Sequence, residues 1–391
     1  MEHECAYRYR CYPNATQRTL LARTFGAARY VYNWALRLRT DAFYERGERI
    51  GYGESSARLT ALKKREGHEW MHAVSSVPMQ QALRHLDTAY RNFFAGRTAY
   101  PSFRRKDGSQ SAEYTTSAFK WRDGRITLAK MDAPLHLHWS RPLPVGSRPS
   151  TVTVTRDTAG RYFVSIRIKR DVMPLPATDT AVGVDLGITS LVTLSTGEKV
   201  ANPRFGARDA TRLAKAQRAL SRKTKGSRRR EKAKRRVSRI HARIADRRQD
   251  TLHKLTTRLM RENQTVAVES LAVKHMVGNR RLARAIGDAG WGELVRQLRY
   301  KAAWYGRTLV EIDRWYPSSK RCACCGHVVD TLPLDVRRWS CAMCGVAHDR
   351  DVNAARNIVA VGQTVIARGE AVRPKRETVA AGLVEPRIPR R

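Results

Sequence analysis

The first part of the chain changes its pattern of apolar and polar residues early. Residues 1–11 alternate polar and apolar side chains, and this period of two predicts a β-strand. From residue 16 to about residue 94, apolar side chains such as Met79, Leu83 and Leu86 recur three or four positions apart. That spacing predicts a small helical domain.

A strand-like pattern returns after a basic turn at residues 100–106. Short segments such as residues 151–156 and 161–169 alternate in polarity and are separated by Gly, Pro and Asp. This arrangement is typical of a small antiparallel barrel or sheet. We expect the first strand of the chain to join it, which makes the helical domain an insertion.

Short apolar strands that end in acids mark the second half of the chain. Residues 181–185 and 265–269 are such runs and end in Asp185 and Glu269, and residues 308–313 predict a third strand. The apolar spacing also predicts helices at residues 291–305 and 349–361.

Residues 212–248 combine a high positive charge with an apolar stripe. Seventeen of these 37 residues are Lys or Arg and only two are acidic. Such a block is often a disordered tail, but Val237, Ile240 and Ile244 recur at helical spacing. We therefore predict a helix, or a helical pair broken near Gly226, with one face on the core and a cationic outer face.

The whole chain is strongly cationic. Its 391 residues contain 75 Lys and Arg against 35 Asp and Glu, a formal net charge of +40, and its 42% of hydrophobic residues are enough for real cores. Like charges repel across a folded surface, and binding nucleic acid relieves this cost by releasing counterions. An anionic membrane is the alternative partner, but the sequence shows neither an apolar span of about 20 residues nor a secretory signal.

Nucleic acid is therefore the expected partner of the basic surface. Tyrosines among basic residues can stack on bases, but for Tyr7, Tyr9, Tyr30 and Tyr32 ordinary core and sheet packing is the preferred interpretation. The residues that we expect to contact nucleic acid are Arg104, Arg105, Lys106, Arg222, Lys223, Lys225, Arg228, Arg229, Arg230, Lys232 and Lys320.

Five of the seven cysteines lie within 23 positions late in the chain, unlike a secreted disulfide framework. The pairs Cys322-x-x-Cys325 and Cys341-x-x-Cys344 are 15 residues apart, and two such knuckles present four thiolates to one tetrahedral Zn²⁺. Cys324 is an alternative to Cys325, but the spacing and the following glycine of the second pair favour Cys325. A closed four-thiolate site has no open position for catalysis, so we expect a structural Zn²⁺ in a cytoplasmic protein.

Three acids stand at the ends of predicted elements: Asp185, Glu269 and Asp351. Phosphodiester hydrolysis needs a positioned water, neutralised charge and help for the leaving oxygen, and two Mg²⁺ ions about 4 Å apart supply all three. Mg²⁺ prefers hard oxygen ligands, so a few converging carboxylates suffice. A single acid of this kind is commonly a turn or cap residue, and Asp349 is an alternative to Asp351 because either can be the helix N-cap.

Motifs over nearly the whole chain resemble the TnpB family, transposon-encoded proteins long labelled transposases and akin to the type V CRISPR nucleases. The sequence departs from the family pattern at Ala272, where an asparagine is common, and in the extra thiol of Cys324. The matching motifs are Gly183-Val-Asp-Leu-Gly-Ile188, Val268-Glu-Ser-Leu271, Pro317-Ser-Ser-Lys-x-Cys-x-x-Cys-Gly326, Cys341-x-x-Cys-Gly345, Asp349-Arg-Asp-Val-Asn-Ala-Ala-Arg-Asn-Ile358, and, in the first part, Tyr12-Pro-Asn14, Gln17, Arg29-Tyr-Val-Tyr-Asn33 and Tyr100-Pro-x-Phe-Arg-Arg-Lys106.

The resemblance implies an α/β multidomain fold with a RuvC-like, RNase H-type core, a zinc-ribbon insertion and a β-barrel wedge domain that carries an inserted helical domain. Residues 367–391, rich in Arg, Pro and Glu, are predicted to be a disordered basic tail. The implied domains are the wedge domain at 1–11 and 97–176, the helical recognition domain at 12–96, the nuclease domain at 180–317 and 349–366, and the zinc ribbon, which binds target nucleic acid, at 318–348.

The resemblance also implies an RNA-guided DNA endonuclease associated with a transposon, cytoplasmic and acting at the bacterial nucleoid. A guide RNA from the transposon end pairs with one strand of a double-stranded target beside a short flanking motif, and a single RuvC-type site cuts. The family's catalytic, Mg²⁺-binding acids correspond to Asp185, Glu269 and Asp351. Its zinc ligands correspond to Cys322, Cys325, Cys341 and Cys344.

Two other functions are alternatives to this one. A catalytically silent, guide-dependent DNA-binding repressor is disfavoured because all three acids are present. A DNA transposase is compatible with the fold, since RNase H-type cores also occur in transposases. The sequence lacks the tyrosine motif that marks strand-transfer enzymes of the single-strand kind.

Overall fold

The computed structural model describes residues 2–333 and 335–368 of the chain. These residues form two compact units, one from Glu2 to Asp171 and the other from Val172 onward. We call them the N-terminal unit and the C-terminal unit. No helix in the described ranges is both long enough and apolar enough to cross a membrane.

The N-terminal unit contains an antiparallel five-stranded sheet with the strand order β2-β6-β7-β1-β5, and a separate hairpin of β3 and β4. The first strand pairs with β7 over its whole length, from Glu2 opposite Asp171 to Cys11 opposite Tyr162, so it joins the sheet as expected. The strands are β1 (Glu2–Cys11), β2 (Gln110–Thr115), β3 (Phe119–Arg122), β4 (Arg125–Leu128), β5 (Leu137–His138), β6 (Pro149–Arg156) and β7 (Tyr162–Asp171).

Three helices lie between β1 and β2 in the chain: α1 (Ala15–Arg46), α2 (Tyr52–Lys63) and α3 (Ser76–Phe94). The first begins with a capping box, in which the Asn14 side chain accepts from the Gln17 amide and the Gln17 side chain accepts from the Asn14 amide. It ends at Gly47, whose φ of 67° a side chain would strain.

The tyrosines of this unit mostly follow the packing interpretation. Tyr9 and Tyr32 are buried, with 1% and 5% of their surface exposed. Tyr30 is more open and packs edge-on against Trp70, with ring centroids 5.4 Å apart. The helical core joins Val31 and Leu36 of α1 to apolar residues of α2 and α3.

The C-terminal unit has a mixed five-stranded sheet with the strand order β10-β9-β8-β11-β12. Strands β8, β11 and β12 are parallel, whereas β9 and β10 run antiparallel to their neighbours. The strands are β8 (Ala181–Leu186), β9 (Ser190–Leu194), β10 (Lys199–Ala201), β11 (Thr265–Glu269) and β12 (Thr308–Ile312), with a small hairpin of β13 (Arg338–Ser340) and β14 (Ala347–Asp349).

Helices cover both faces of this sheet. Val266 and Val268 pack with the apolar residues of α6 and α9, whereas Ala267, between them, packs with Ile358 of α10 on the other face. This alternation is the period of two that a strand imposes. The helices are α4 (Phe205–Arg208), α5 (Ala210–Ser221), α6 (Arg228–Glu262), α7 (Val273–Met276), α8 (Ala283–Ala289), α9 (Trp291–Tyr305) and α10 (Arg350–Ala367).

Helix α10 lies directly against the sheet because two glycines face it. A Cβ on Gly183 of β8 would stand 1.9 Å from the Ala355 carbonyl oxygen. A Cβ on Gly362 of α10 would stand 2.7 Å from the Cβ of Ala267. Neither position therefore tolerates a side chain unless the helix moves away from the strands.

The cationic segment forms the predicted helical pair, α5 and α6, broken at Gly226 with a φ of 84°. The hydroxyl of Ser227 caps the start of α6 and accepts from the Arg230 amide at 3.1 Å. In the first half of α6, Ile240 and Ile244 pack against α5, and only the second half contributes to the core on the sheet.

Two predicted boundaries need correction. The wedge domain was predicted to end at residue 176, but residues 174–176 pack on the C-terminal unit: Leu175 donates to the Tyr305 carbonyl, and the Pro176 carbonyl accepts from Arg307. The chain therefore changes unit after Asp171, before these prolines. The predicted tail at 367–391 overlaps the last residue of α10, and its residues 369–391 lie outside the described part of the chain.

Candidate metal centres and nucleic-acid surface

Asp185 and Glu269 stand side by side at the carboxyl ends of parallel strands. Val184 of β8 is paired with Val268 of β11, and each acid is the next residue of its strand. Residues in register on neighbouring strands are about 5 Å apart, so the two carboxylates share one edge of the sheet. Asp351 lies in the first turn of α10, the helix that packs on β8.

The pKa of Asp185 reflects both its burial and the charges of the other two acids. Burial, followed by the charges of Glu269 and Asp351, raises the pKa of Asp185 to about 8. Burial also raises the pKa of Glu269, against a hydrogen bond from the Ser318 hydroxyl. Buried carboxylates that resist ionisation in this way are typical of functional sites that bind cations.

The structure separates the roles of Asp349 and Asp351. Asp349 is the N-cap of α10, and its Oδ1 accepts from the amides of Asp351 and Val352 at 3.1 Å each. Burial opposes its ionisation, but Lys199, 2.7 Å away, and these amides lower the pKa of Asp349 overall. One oxygen of Asp349 is therefore used by the helix end and the other by Lys199, whereas the charge of Asp351 acts on Asp185.

Several residues around the acids were missed by the sequence reasoning. Lys199 Nζ lies 3.8 Å from an Asp351 carboxylate oxygen, and Arg337 donates to the other oxygen at 3.4 Å. Ser318, which is almost fully buried, donates to Glu269. The motif at Pro317–Gly326 includes Ser318 but does not indicate its partner Glu269, and no local pattern marks Lys199 or Arg337.

Two asparagines attach the zinc loop to the helix that carries Asp351. The side-chain amide of Asn357 donates to the carbonyls of Ser318 and Arg321 at 2.8 and 2.6 Å. Asn353, one turn earlier, donates to the same two carbonyls and accepts from the Ala323 amide at 2.9 Å. The first knuckle and the carboxylate edge are thus parts of one hydrogen-bonded assembly.

Four cysteine sulfurs converge on one point in the zinc loop. The Sγ atoms of Cys322, Cys325, Cys341 and Cys344 all lie within 4.8 Å of one another. The distances from Cys322 to Cys344 and from Cys325 to Cys341 are 3.6 Å, close to the value of about 3.8 Å that a tetrahedral ion with Zn–S bonds of about 2.3 Å requires. The cluster uses Cys325, as predicted, and Cys324 points outward as an exposed thiol.

The chemistry of this cluster fits Zn²⁺. Burial opposes ionisation of Cys322, but backbone hydrogen bonds and the His348 ring, 3.0 Å from its sulfur, lower the pKa of the thiol to about 5. A backbone hydrogen bond at Val346 favours the Cys344 thiolate, yet burial and the three other sulfurs raise its pKa to about 12. Four thiolates therefore cannot coexist here without a cation to balance them.

The three carboxylates do not converge on a single point as the four thiols do. Among the described residues, only the cysteines form a group of at least three ligand atoms with mutual distances short enough for one ion. Oxygen-only, partly solvated ligands at the edge of a sheet suit Mg²⁺, which keeps several waters. The carboxylate set fits hard divalent cations on the chemistry of its donors.

Some predicted nucleic-acid contacts have partners within the protein. The guanidinium of Arg104 stacks over the Tyr32 ring at 3.8 Å, and burial lowers its pKa. Arg230 donates to the carbonyls of Leu220 and Lys223, and Lys320 donates to the Asp330 carbonyl. These three side chains stabilise local structure, so their expected role in binding is reduced.

A cationic cleft between α5 and α6 was missed by the sequence reasoning, apart from Lys232. It has a volume of about 600 Å³, and buried Ile240 lies among its walls. No acid lines it, and in the described ranges none of its cations is ion-paired. Its charged residues are Arg212, Lys232, Arg235, Arg236, Arg239 and Arg243.

Models of known families match three parts of the chain. Residues 163–280 match the OrfB proteins of IS605, described as "Probable transposase", and residues 291–358 match the TNB domain of Cas12f1-like proteins. Residues 1–48 match a helix-turn-helix domain, although in this structure they form strand β1 and one continuous helix, α1.

Relatives that match this chain over nearly its whole length show the family to which it belongs. A Streptomyces pristinaespiralis protein named "Putative RNA-guided DNA endonuclease" is 58% identical over 378 residues, covering 96% of this chain and 94% of the relative. This chain belongs to the TnpB family. Another relative, the Escherichia coli K12 protein "Putative RNA-guided DNA endonuclease InsQ", is 32% identical over 389 residues, 95% of each chain.

A solved structure places this TnpB-family chain among mixed α/β folds with a cysteine cluster. The protein in "Cryo-EM structure of the Cas12f1-sgRNA-target DNA complex" superposes with a TM-score of 0.54 at 12% identity, covering 88% of this chain and 83% of that one. At this identity the likeness concerns the fold alone.

Proposed function

We propose that this chain is an RNA-guided DNA endonuclease of a transposon, which hydrolyses target DNA at one RuvC-type carboxylate site. The observation that carries the proposal is that Asp185, Glu269 and Asp351, far apart in sequence, lie near one edge of the sheet, where burial and the charges of the other two acids disfavour ionisation of Asp185. A cluster of buried acids is costly in a protein unless it binds cations.

The protein's own residues orient this site. Ser318 donates to one oxygen of Glu269 and leaves the other oxygen available to a cation. Lys199 and Arg337 lie beside Asp351 and balance its charge on the outer side. When bound, Mg²⁺ neutralises charge on the scissile phosphate and assists the leaving oxygen, and two ions are the expected number.

The raised pKa of Asp185 adds a step of proton release. Near neutral pH its carboxyl keeps a proton in the metal-free protein, because burial and two neighbouring carboxylates disfavour the charge. Cation binding then competes with this proton, so we expect affinity for Mg²⁺ to rise with pH up to about 8.

The other domains of an RNA-guided nuclease can be assigned to the remaining parts of the fold. We propose that the sheet of the N-terminal unit is the wedge domain, with a barrel-like form, that α1–α3 form the recognition domain, and that the C-terminal unit is a RuvC-like, RNase H-type nuclease. The knuckles at 318–348, a structural zinc ribbon, bind target nucleic acid. The cationic cleft of α5 and α6 binds the phosphate backbone of the guide RNA or of its duplex with target DNA.

A cleavage assay tests the proposal directly. The full chain, purified with the RNA that it retains, is given a plasmid matching that RNA together with Mg²⁺. We expect cutting that requires both the matched sequence and the cation, and none from the Asp185→Ala variant. Sequencing the retained RNA identifies the guide and therefore the target.

Two outcomes would contradict the proposal. Guide-dependent binding without cutting by the wild-type protein would indicate a repressor. A product in which transposon ends are joined to target DNA by this protein alone would indicate a transposase.

A further inference from the structure

Trp315 is an exposed aromatic side chain beside the carboxylate edge. Its relative exposure is 83%, whereas the other tryptophans of this chain, all within described ranges, are at 43% or below. An indole is the largest apolar side chain, and leaving one in water is unfavourable. A tryptophan in this position is typical of a contact surface rather than of a core.

The backbone under this indole is fixed. The Trp315 amide donates to the Asp313 carboxylate at 2.7 Å, and the Tyr316 amide donates to the Asp313 carbonyl at 3.3 Å, which closes a tight turn. The Tyr316 side chain packs on the core between α10 and the sheet, beside Ile312 and Ile358. Trp315 therefore stands on an anchored turn, so the cost of ordering its backbone is already met before any partner binds.

The turn belongs to the catalytic edge. It follows β12 directly, and the last residue of β12, Ile312, is paired with Glu269 of β11. Three residues after Trp315 comes Ser318, whose hydroxyl binds Glu269. Since three residues span at most about 11 Å, the indole is within one or two nucleotides' reach of the carboxylates.

We propose that Trp315 is a stacking platform for an unpaired base of the DNA strand that enters the carboxylate site. The proposal rests on the proposed nuclease function and adds the positioning of the substrate strand. Base faces are accessible only when a strand has left its duplex, and an aromatic ring then binds any base without reading its sequence. An exposed ring next to the cutting site thus selects a single strand and fixes its register.

Charge supports nucleic acid as the occupant of this surface. The chain carries a net charge of +40, and the positive side chains of Lys199 and Arg337 lie beside the acids of the same edge. A polyanionic strand is attracted to such a surface, while its bases need an apolar partner. Trp315 supplies that partner on the turn that leads to Ser318 and the carboxylate edge.

The test replaces Trp315 with residues that separate stacking from bulk. Trp315→Tyr keeps an aromatic ring, whereas Trp315→Leu keeps apolar volume without a ring. The complex of full chain and retained RNA cuts matched DNA that carries one abasic site, moved position by position around the cut. In the wild type we expect one or two abasic positions to slow cutting about tenfold, within the range for loss of one stacked base.

We expect the cutting rate of each Trp315 variant to depend on whether the new residue has an aromatic ring. Trp315→Leu should cut intact DNA about tenfold more slowly and show no further loss at the sensitive abasic positions. Trp315→Tyr should stay within about threefold of the wild type. If Trp315→Leu instead lowered the cutting rate by the same factor on every DNA, with a further loss at the sensitive abasic positions, the role of Trp315 would be merely structural. That result would overturn the proposal.

A second measurement does not depend on cutting. In an Asp185→Ala background, 2-aminopurine placed at each position of the strand should be quenched at the same one or two positions, and Trp315→Leu should abolish that quenching. Equal fluorescence with and without Trp315 would overturn the stacking proposal even if the enzyme cuts normally. A change in oligomeric state on size-exclusion chromatography with Trp315→Leu would instead show that a second copy covers the indole, and would also overturn it.

Discussion

The C-terminal unit holds two ligand clusters that differ in almost every physical respect. The four thiols come from two short knuckles and lie close enough for one ion, and the resulting site is closed. The three carboxylates come from two strands and a helix and do not converge on one point, and burial together with the charges of the other two acids raises the pKa of Asp185 to about 8. The first cluster is built to fold a loop, whereas the second keeps unfavourable charge at an open edge.

The difference has a thermodynamic meaning. Binding of Zn²⁺ to the thiols contributes to folding, because the loop between residues 318 and 348 has little core of its own. The proposed binding of cations to the carboxylates would instead relieve the repulsion between Asp185 and the other two acids. Loss of a thiol is therefore expected to change structure, and loss of a carboxylate is expected to change activity.

The largest expected effect is on catalysis, from the carboxylates. Asp185→Ala and Glu269→Gln should each lower the rate of Mg²⁺-dependent cutting at least about 1,000-fold, because each removes a proposed metal ligand. Both variants should keep their thermal stability in the absence of Mg²⁺. Gel analysis of plasmid cleavage together with differential scanning fluorimetry checks both statements, and a variant that cuts within tenfold of the wild type would remove that acid from the site.

The second largest expected effect is on the zinc content, and it tests which thiols bind the ion. Cys341→Ser combined with Cys344→Ser should abolish bound zinc, measured by metal analysis of the purified protein, and should expose the loop to limited proteolysis. Cys324→Ser is the matched control and should keep one zinc per chain, because its thiol is outside the cluster. Full zinc in the double variant would refute the four-cysteine site.

A smaller effect on the cutting rate tests whether the hydrogen bonds of the zinc loop help to orient the carboxylates. Asn357→Ala removes donors to the carbonyls of Ser318 and Arg321, so the hydrogen bond from Ser318 to Glu269 loses its support. We expect cutting to fall about tenfold to hundredfold, as for other residues that orient ligands, while zinc content stays the same. Unchanged cutting would show that the zinc loop and the carboxylate edge act independently.

The smallest effect concerns stability and pH. Because burial raises the pKa of Asp185 above its usual value, the folded state favours the protonated acid, and the resulting stabilisation is lost as pH rises from about 4 to about 8. Asp185→Asn, a neutral mimic, should therefore raise the melting temperature of the metal-free protein by a few degrees at pH 8 and leave it unchanged near pH 4. The opposite dependence on pH would show that the carboxylate is stabilised in its charged form.

The elements that carry the site could be predicted because their sequence signals are local. A run of apolar residues that ends in an acid, as at Asp185 and Glu269, shows both the strand and its functional end. The spacing of the cysteine pairs likewise shows the cluster without any knowledge of the fold. Gly226, between two amphipathic basic segments, indicates the break between α5 and α6.

The rest depended on contacts between distant residues. Either Asp349 or Asp351 could be the helix cap by sequence, and only the hydrogen bonds to the Asp351 and Val352 amides assign that role to Asp349. Arg104 was predicted to face nucleic acid, yet it stacks on Tyr32, 72 positions earlier in the chain. Charge and composition cannot distinguish a cation used for internal packing from one left for a partner.

The missing side chain at Gly183 has a consequence for how this protein can change over time. The position lets α10 rest on β8, and the same helix starts at the acid cluster and holds the first knuckle through its asparagines. A single added methyl group there would shift both the carboxylate edge and the first knuckle at once. Substitutions on the outer surface of the knuckles can therefore accumulate during evolution. The position of α10 on the sheet cannot change without also moving Asp351 and the first knuckle.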